Sequence, residues 1–252
     1  IYIMNKSALI ISGSSDIASA TARLLAEKEY SITLTSRKTQ SCKDLVKEIS
    51  DTSSKNCFLI PLDIRDFDSF DNFFSNLKES PDLVLFCPGK MESDELISSK
   101  NRGHFSQEIN DIVATNFSGP IIFLSKLKDY LVNSDKKASI IILSSVAGDR
   151  GRLKNPFYGS SKAGLSSFSS SIRQELGKSK ISVITVKLGF VRTKMTNHLN
   201  LPKFITSSPE QIAKIIYQAH KKKKNVVYSK FWFSIMTIVK LIPEFIFKRM
   251  NF

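Results

Sequence analysis

Short apolar runs alternate along the chain with longer stretches whose apolar residues recur every three or four positions. The runs Ala8–Ile11, Ile32–Thr35, Cys57–Leu62, Leu83–Cys87, Ile140–Leu143 and Ile181–Lys187 are nearly continuous. Runs of that length without strict alternation predict strands buried on both faces. Ile17–Lys28, Ser41–Ile49, Phe67–Leu77, Phe105–Leu131 and Tyr158–Leu176 carry the helical period instead. Asn225–Tyr228 predicts one further strand. Such alternation predicts an α/β fold, a single doubly wound parallel sheet with helices on both faces. Neither repeat nor linker interrupts the pattern before residue 228, which predicts one domain over 1–228 and a distinct tail over 229–252.

The tail is apolar from Phe231 to Phe247, but Lys240 interrupts it and Pro243 should bend it. It falls short of the roughly 20 uninterrupted residues that span a bilayer. Two readings remain: the tail folds back and completes the core, or it lies in the membrane interface. In the second, Lys230, Lys240, Lys248 and Arg249 would meet anionic headgroups. That reading predicts a cytoplasmic protein held peripherally on the inner face of the membrane.

Charge sharpens this picture. The 252 residues carry a formal net charge of +14, which points to an anionic partner. Nucleic-acid binding would interleave aromatics with a basic face. The run Lys221–Lys224 has no such pattern and predicts a solvated loop, so no nucleic-acid partner is expected. Cys42, Cys57 and Cys87 are far apart and form no metal or C-x-x-C pattern, as in a reducing cytoplasm. His104, His198 and His220 lack acidic or cysteine partners in sequence and read as surface residues, so no metal site is expected. No basic–apolar–small leader precedes the first strand.

One stretch concentrates reactive groups. Ser145 ends an apolar strand, a loop with Gly148, Gly151 and Pro156 follows, and Tyr158 and Lys162 then stand one helical turn apart. An ammonium beside a phenol favours the phenolate and lowers a pKa that is ordinarily about 10. Tyr158 is therefore expected to exchange a proton with a substrate oxygen near neutral pH, with Ser145 hydrogen-bonding the same oxygen. The pattern S-S-V-A-G followed by Y-G-S-S-K, with Ser145 rather than Ser144 at the matching separation, resembles the active site of the short-chain dehydrogenase/reductase family. The resemblance implies a Rossmann-type fold, a nicotinamide cofactor and interconversion of a ketone and a secondary alcohol.

The turn Ser12–Ala18 follows the first strand and opens a helix, where such sheets receive a pyrophosphate. It resembles the family's T-G-x-x-x-G-x-G turn, with Gly13 kept, Ala18 at the last glycine and Asp16 at the middle one. Ser15, Asp16 and Ile17 then fall at the phosphate-binding helix start. The Asp16 charge suits a helix N-terminus but repels phosphate unless the side chain turns away. Arg37 ends the second strand where an acid would take the ribose hydroxyls of NAD. It predicts pairing with a 2′-phosphate, and hence NADPH, with Ser36 as a second donor. By resemblance, Asp63 contacts the adenine amine, Gly89 lends backbone contact, and Asn116 holds a proton relay to Lys162. Tyr158 and Lys162 also bind ribose, while Gly189, Val191 and Thr193 belong to the segment that holds the nicotinamide.

Two longer stretches are similar to one subgroup of the family, the decaprenylphosphoryl-2-keto-ribose reductases of cell-envelope arabinose synthesis. They are S-S-V-A-G-D-R-G-R-x-x-N-P-F-Y-G-S-S-K-A-G-L and the tail around Trp232 and Pro243–Arg249. This resemblance implies a polyprenyl-phosphate-linked keto-sugar as substrate and a flavin-dependent oxidase as partner. Arg150 and Arg152 then either meet the substrate phosphate or are solvated loop charges. A reductase of another lipid or acyl ketone would share every catalytic residue, whereas a non-catalytic nucleotide-binding scaffold has no need of Ser145, Tyr158 and Lys162. The family also implies a homo-oligomer, here through Phe105–Leu131 and Tyr158–Leu176, with Ser166, Ser167, Ser169, Ser170 and Ser171 allowing close helix contact.

Overall fold

The computed structural model describes residues 6–53 and 55–250, so both ends of the predicted units, 1–5 and 251–252, lie outside the described residues. The apolar runs form strands β1 (Lys6–Ile11), β2 (Tyr30–Ser36), β3 (Cys57–Pro61), β4 (Leu83–Phe86), β5 (Ala138–Ser145), β6 (Ile181–Leu188) and β7 (Val226–Tyr228). They make one sheet in the order β3-β2-β1-β4-β5-β6-β7, with every pairing parallel. The chain therefore reverses its direction of winding between β1 and β4. The carboxyl ends of the strands open a crevice at that switch point, where such sheets bind ligands.

The two-residue period divides each central strand between two cores. Ala8, Ile10, Ile141 and Leu143 pack with helices α1 (Asp16–Glu27), α2 (Lys43–Thr52) and α8 (Pro209–Lys221) on one face. Leu9, Ile11, Ile140 and Ile142 pack on the other, with α3 (Ser69–Ser75), α6 (Gly119–Asn133) and α7 (Pro156–Glu175). All eight residues of β5 are buried, which is why its sequence shows no alternation. The doubly wound sheet matches the expectation.

Three elements depart from the predicted pattern. The stretch Phe105–Leu131 is not one uniform helix: α5 (Ser106–Val113) passes through a π-helical turn, Ala114–Ser118, into α6. A short helix, α4 (Asp94–Ser98), follows β4. Helix α8 was absent from the predicted set, although Ser208–Pro209–Glu210–Gln211 forms a capping box. Its apolar residues Ile212, Ala213, Ile216 and Ala219 repeat at helical spacing and are buried. The predicted surface position of His220 is also corrected: its ring joins Tyr30 Oη (3.2 Å) and Ser139 Oγ (2.9 Å), and burial pushes its pKa down.

The tail forms α9 (Trp232–Leu241) and a short α10 (Glu244–Phe247). Trp232, Met236 and Val239 turn inward and bury themselves with Val146, beside Phe190, Ile205 and Tyr228. The outer face stays apolar, with Phe231, Phe233, Ile238, Leu241 and Phe245 each more than 60% exposed. The inner face of α9 thus packs on the domain. Among the described residues no helix is long and apolar enough to cross a membrane.

Candidate active site

The end of β5 separates its two serines by the strand's own alternation. Ser144 points into the α7 side, where its hydroxyl meets Lys162 O (3.1 Å) and Ser166 Oγ (2.7 Å). Ser145 accepts from the Ala147 amide (3.1 Å) and donates to Leu188 O (3.3 Å). The turn Val146–Gly148 then lies against α7 so closely that a Cβ on Gly148 would sit 2.6 Å from the Ala163 nitrogen. Glycine is required there by contact, and that contact fixes Ser145 relative to Tyr158.

Lys162 is buried, and its ammonium donates to Pro88 O (3.0 Å) and Leu143 O (3.2 Å). It lies 5.8 Å from the centre of the Tyr158 ring. Burial pushes the Lys162 pKa down to about 8. Burial also pushes Tyr158 up, which the hydrogen bond with Ser145 opposes and the charge of Glu92 reinforces. The expected lowering of the tyrosine pKa by its lysine is therefore corrected. The ammonium is directed at two carbonyls and is itself driven towards neutrality, so desolvation of the phenol dominates. A phenol that keeps its proton is suited to donating it.

Lys162 also sets a pH signature. Between about pH 8 and the usual lysine value of about 10.4, the unfolded chain holds a proton that the folded chain has released. Stability rises with pH where the unfolded state binds more protons. Urea melts should accordingly show wild type gaining on Lys162→Met as pH rises from about 8 to about 10. A constant difference across that window would exclude the depressed lysine.

Glu92 joins the site without having been singled out in sequence. One of its oxygens accepts from the amides of Phe157 and Tyr158, both at 2.9 Å, and so pins the start of α7. A lone acid 66 residues before the tyrosine carries no sequence signal, because only the fold brings the two together. Gly89 occupies the centre: a Cβ there would lie 3.8 Å from Asn116 Oδ1 and 3.9 Å from Lys162 Nζ. Asn116 is fully buried within the π turn, and its amide exchanges two hydrogen bonds with the Lys90 backbone. Its side chain therefore holds the Gly89–Lys90 backbone beside Lys162.

A dinucleotide fits the switch-point crevice. The N-cap of α1, Ser15, makes no side-chain cap, which leaves the first amides of the helix for a ligand. Gly13 hydrogen-bonds through its amide to Thr35 O (2.7 Å), and a Cβ on it would come 3.2 Å from Leu34. Asp16 turns towards the segment after β6, where it accepts from the Lys194 amide at 2.6 Å. Ile17 and Val191 are buried in the same core cluster. Arg37 stands exposed at the end of β2. Ser36 requires a correction as second donor: it is buried and its hydroxyl already donates to Lys38 O (3.1 Å). Asp63 is gripped by Arg65, which holds its carboxyl below the usual range. Thr193 lies beside Thr196, with hydroxyls 3.3 Å apart.

The expectation for Arg150 as a substrate ligand is corrected as well. Arg150 donates to Val239 O (2.5 Å), Ile242 O (2.6 Å) and Glu244 (2.9 Å), and stacks 3.7 Å from the centre of the Phe247 ring. Its guanidinium clamps the end of α9. Arg152 reaches Met236 Sδ at 3.8 Å, and burial lowers its pKa. Arg150 faces the tail rather than a substrate phosphate, whereas Arg152 also feels the charge of Tyr158. Gly189 adjoins the same tail, since its amide donates to Ser229 Oγ (2.8 Å) and any Cβ would strike the Trp232 ring.

Comparison with known proteins agrees with this geometry. The family described as short chain dehydrogenase matches residues 6–203. Carbonyl reductase family member 4 of Xenopus laevis is 27% identical over 223 residues, covering 84% of this chain and 90% of that protein. The 3-oxoacyl-[acyl-carrier-protein] reductase of Mus musculus is 26% identical, covering 82% and 84%. A short-chain dehydrogenase from Sphingobium yanoikuyae, solved in complex with NADPH, superposes with a TM-score of 0.78 at 16% identity, covering 95% of this chain and 97% of that one. The chain thus belongs to the short-chain dehydrogenase/reductase family, and it is an NAD(P)-dependent oxidoreductase.

Proposed function

We propose that the enzyme reduces a ketone to a secondary alcohol with NADPH, and that its substrate is the 2-keto group of a polyprenyl-phosphate-linked sugar. The observation that carries the reaction is the half-buried Tyr158, held beside Ser145 and one turn from Lys162. Ser145 polarises the carbonyl, and Tyr158 delivers its proton as the oxygen becomes an alkoxide. Lys162 binds ribose and, with Asn116, replenishes that proton. When bound, the nicotinamide supplies the hydride. Support for the sugar comes from the S-S-V-A-G-D-R-G-R and tail resemblances. A flavin-dependent oxidase would supply the keto-sugar, so that the pair epimerises the pentose. The names of the acyl-carrier-protein reductase relatives favour a second reading, an acyl ketone.

Arg37 is the residue that selects NADPH. A charge-assisted bond to the 2′-phosphate is worth roughly 1.5–3 kcal/mol, or about ten- to a hundredfold in affinity. Fluorescence titration should show NADPH bound more tightly than NADH, with the preference lost in Arg37→Ala. Equal affinity in wild type would remove the argument. Turnover of the lipid-linked 2-keto-pentose with NADPH, compared with a 3-oxoacyl thioester, decides the substrate; turnover of the thioester alone selects the acyl reading.

The enzyme is proposed to work as a homo-oligomer on the cytoplasmic face of the membrane. Of the five serines expected to allow close helix contact, Ser167, Ser170 and Ser171 are exposed, whereas Ser166 serves Ser144 and Ser169 is buried. Membrane attachment is supported by the apolar outer face of α9, flanked by Lys230, Lys240, Lys248 and Arg249. Full-length protein should sediment with anionic vesicles at low salt and be released at high salt. Protein that stays in the supernatant at low salt would leave the tail with its packing role alone.

A further inference from the structure

Behind the segment that carries Val191 and Thr193 lies a surface pocket outside the crevice. Its wall includes three cations, Arg192, Lys203 and Lys230, together with Ser207 and Gln211, and no carboxylate. None of the three cations is in an ion pair among the described residues. Lys230 is steered into place by donating to Thr206 O. The adjacent acid, Glu210, is engaged by Ser208 and feels the charge of Arg23. Three like charges converging without a counter-charge repel one another unless an anion joins them.

A second observation is independent of charge. Ser207 is only 1% exposed, and its hydroxyl has no hydrogen-bond partner. Its backbone is fully employed, since its amide donates to Phe190 O (2.9 Å) and its carbonyl accepts from the Arg192 amide (3.0 Å). A buried hydroxyl left unsatisfied is unfavourable, and an oxyanion in the pocket would accept a hydrogen bond from it. The start of α8 adds its dipole but not its amides, because Ser208 and Gln211 close a capping box over them.

The surroundings are apolar in a specific way. Lys203 and Lys230 are each followed by an exposed aromatic, Phe204 at 74% and Phe231 at 67% exposure. Cations with a hydroxyl donor suit a phosphate, and flanking aromatics suit hydrocarbon. We propose that this pocket binds the phosphate of an amphiphilic phosphate ester, with the hydrocarbon chain lying over Phe204 and Phe231. The ester is a ligand additional to the proposed keto-sugar, whose own phosphate adjoins the 2-keto group and belongs in the crevice.

Calorimetry on the full-length protein tests this with dissolved farnesyl phosphate, inorganic phosphate and farnesol. Farnesyl phosphate should bind at least about tenfold more tightly than either part alone. Lys203→Glu should weaken it by about tenfold or more, Phe204→Ser should also weaken it, and Lys221→Glu in the remote basic run should leave it within about twofold. Equal binding of inorganic phosphate or farnesol, or equal loss in Lys203→Glu and Lys221→Glu, would overturn the site. Sedimentation with phosphatidylcholine vesicles, with and without phosphatidylglycerol, separates the two sources of phosphate. A Lys203→Glu defect with farnesyl phosphate supports a free phosphate ester, one confined to phosphatidylglycerol vesicles supports a headgroup, and a defect in neither refutes both. Wild type that reduces the keto-sugar but binds no farnesyl phosphate sinks this inference alone; wild type that binds it but reduces no keto-sugar sinks the proposed substrate alone.

Discussion

Tyr158→Phe should lower ketone turnover by at least about 100-fold, the lower end of what a positioned acid contributes. The substitution removes one oxygen and leaves the ring on α7, so binding of NADPH should stay within a few-fold of wild type. The phenol keeps its proton across the neutral range, so the substitution removes the protonated donor itself. Initial rates of NADPH consumption, paired with a fluorescence titration of the cofactor, check both halves. Retention of more than about a tenth of the wild-type rate would mean that another group supplies the proton.

Trp232→Ala should destabilise the enzyme by about 3–5 kcal/mol, the usual range for emptying a buried aromatic site. Trp232 is 3% exposed, donates through Nε1 to Ile205 O (3.1 Å), and packs edge-on to Phe190 with ring centres 5.0 Å apart. It also fills the space that Gly189 leaves by having no side chain. Loss of the indole therefore loosens the segment that carries Val191 and Thr193, and affinity for the cofactor should fall along with stability. Urea unfolding and cofactor titration give the two readings. A variant as stable as wild type would show that the tail merely rests on the domain.

The sheet and the proposed triad of Ser145, Tyr158 and Lys162 were legible because their determinants are local. A buried parallel strand reads as an uninterrupted apolar run, and Tyr158 and Lys162 are tied by one helical turn. What stayed hidden depended on distant partners. Glu92 acquires its role from the amides of Phe157 and Tyr158, which only the crossover from β4 to α7 brings near. Arg150 resembled a substrate ligand because it lies close to Ser145 in sequence, yet the carbonyls at the end of α9 claim it from about ninety residues away. The pKa order failed for a similar reason: proximity of charge was visible in the spacing, and burial was not. Helix α8 was the avoidable omission, since its capping box and apolar period are both written in the sequence.

The π turn at Ala114–Ser118 accommodates one residue more than an α-helix would need between α5 and α6. Deleting a single residue there lets plain α-helix run through, but it rotates one flank against the other by about 100°. Asn116 would then swing away from the Lys90 backbone, and the Gly89–Lys90 strip beside Lys162 would lose its brace. In the gene, this should make the stretch intolerant of a lost codon. A deletion that tidies the helix disarms the enzyme.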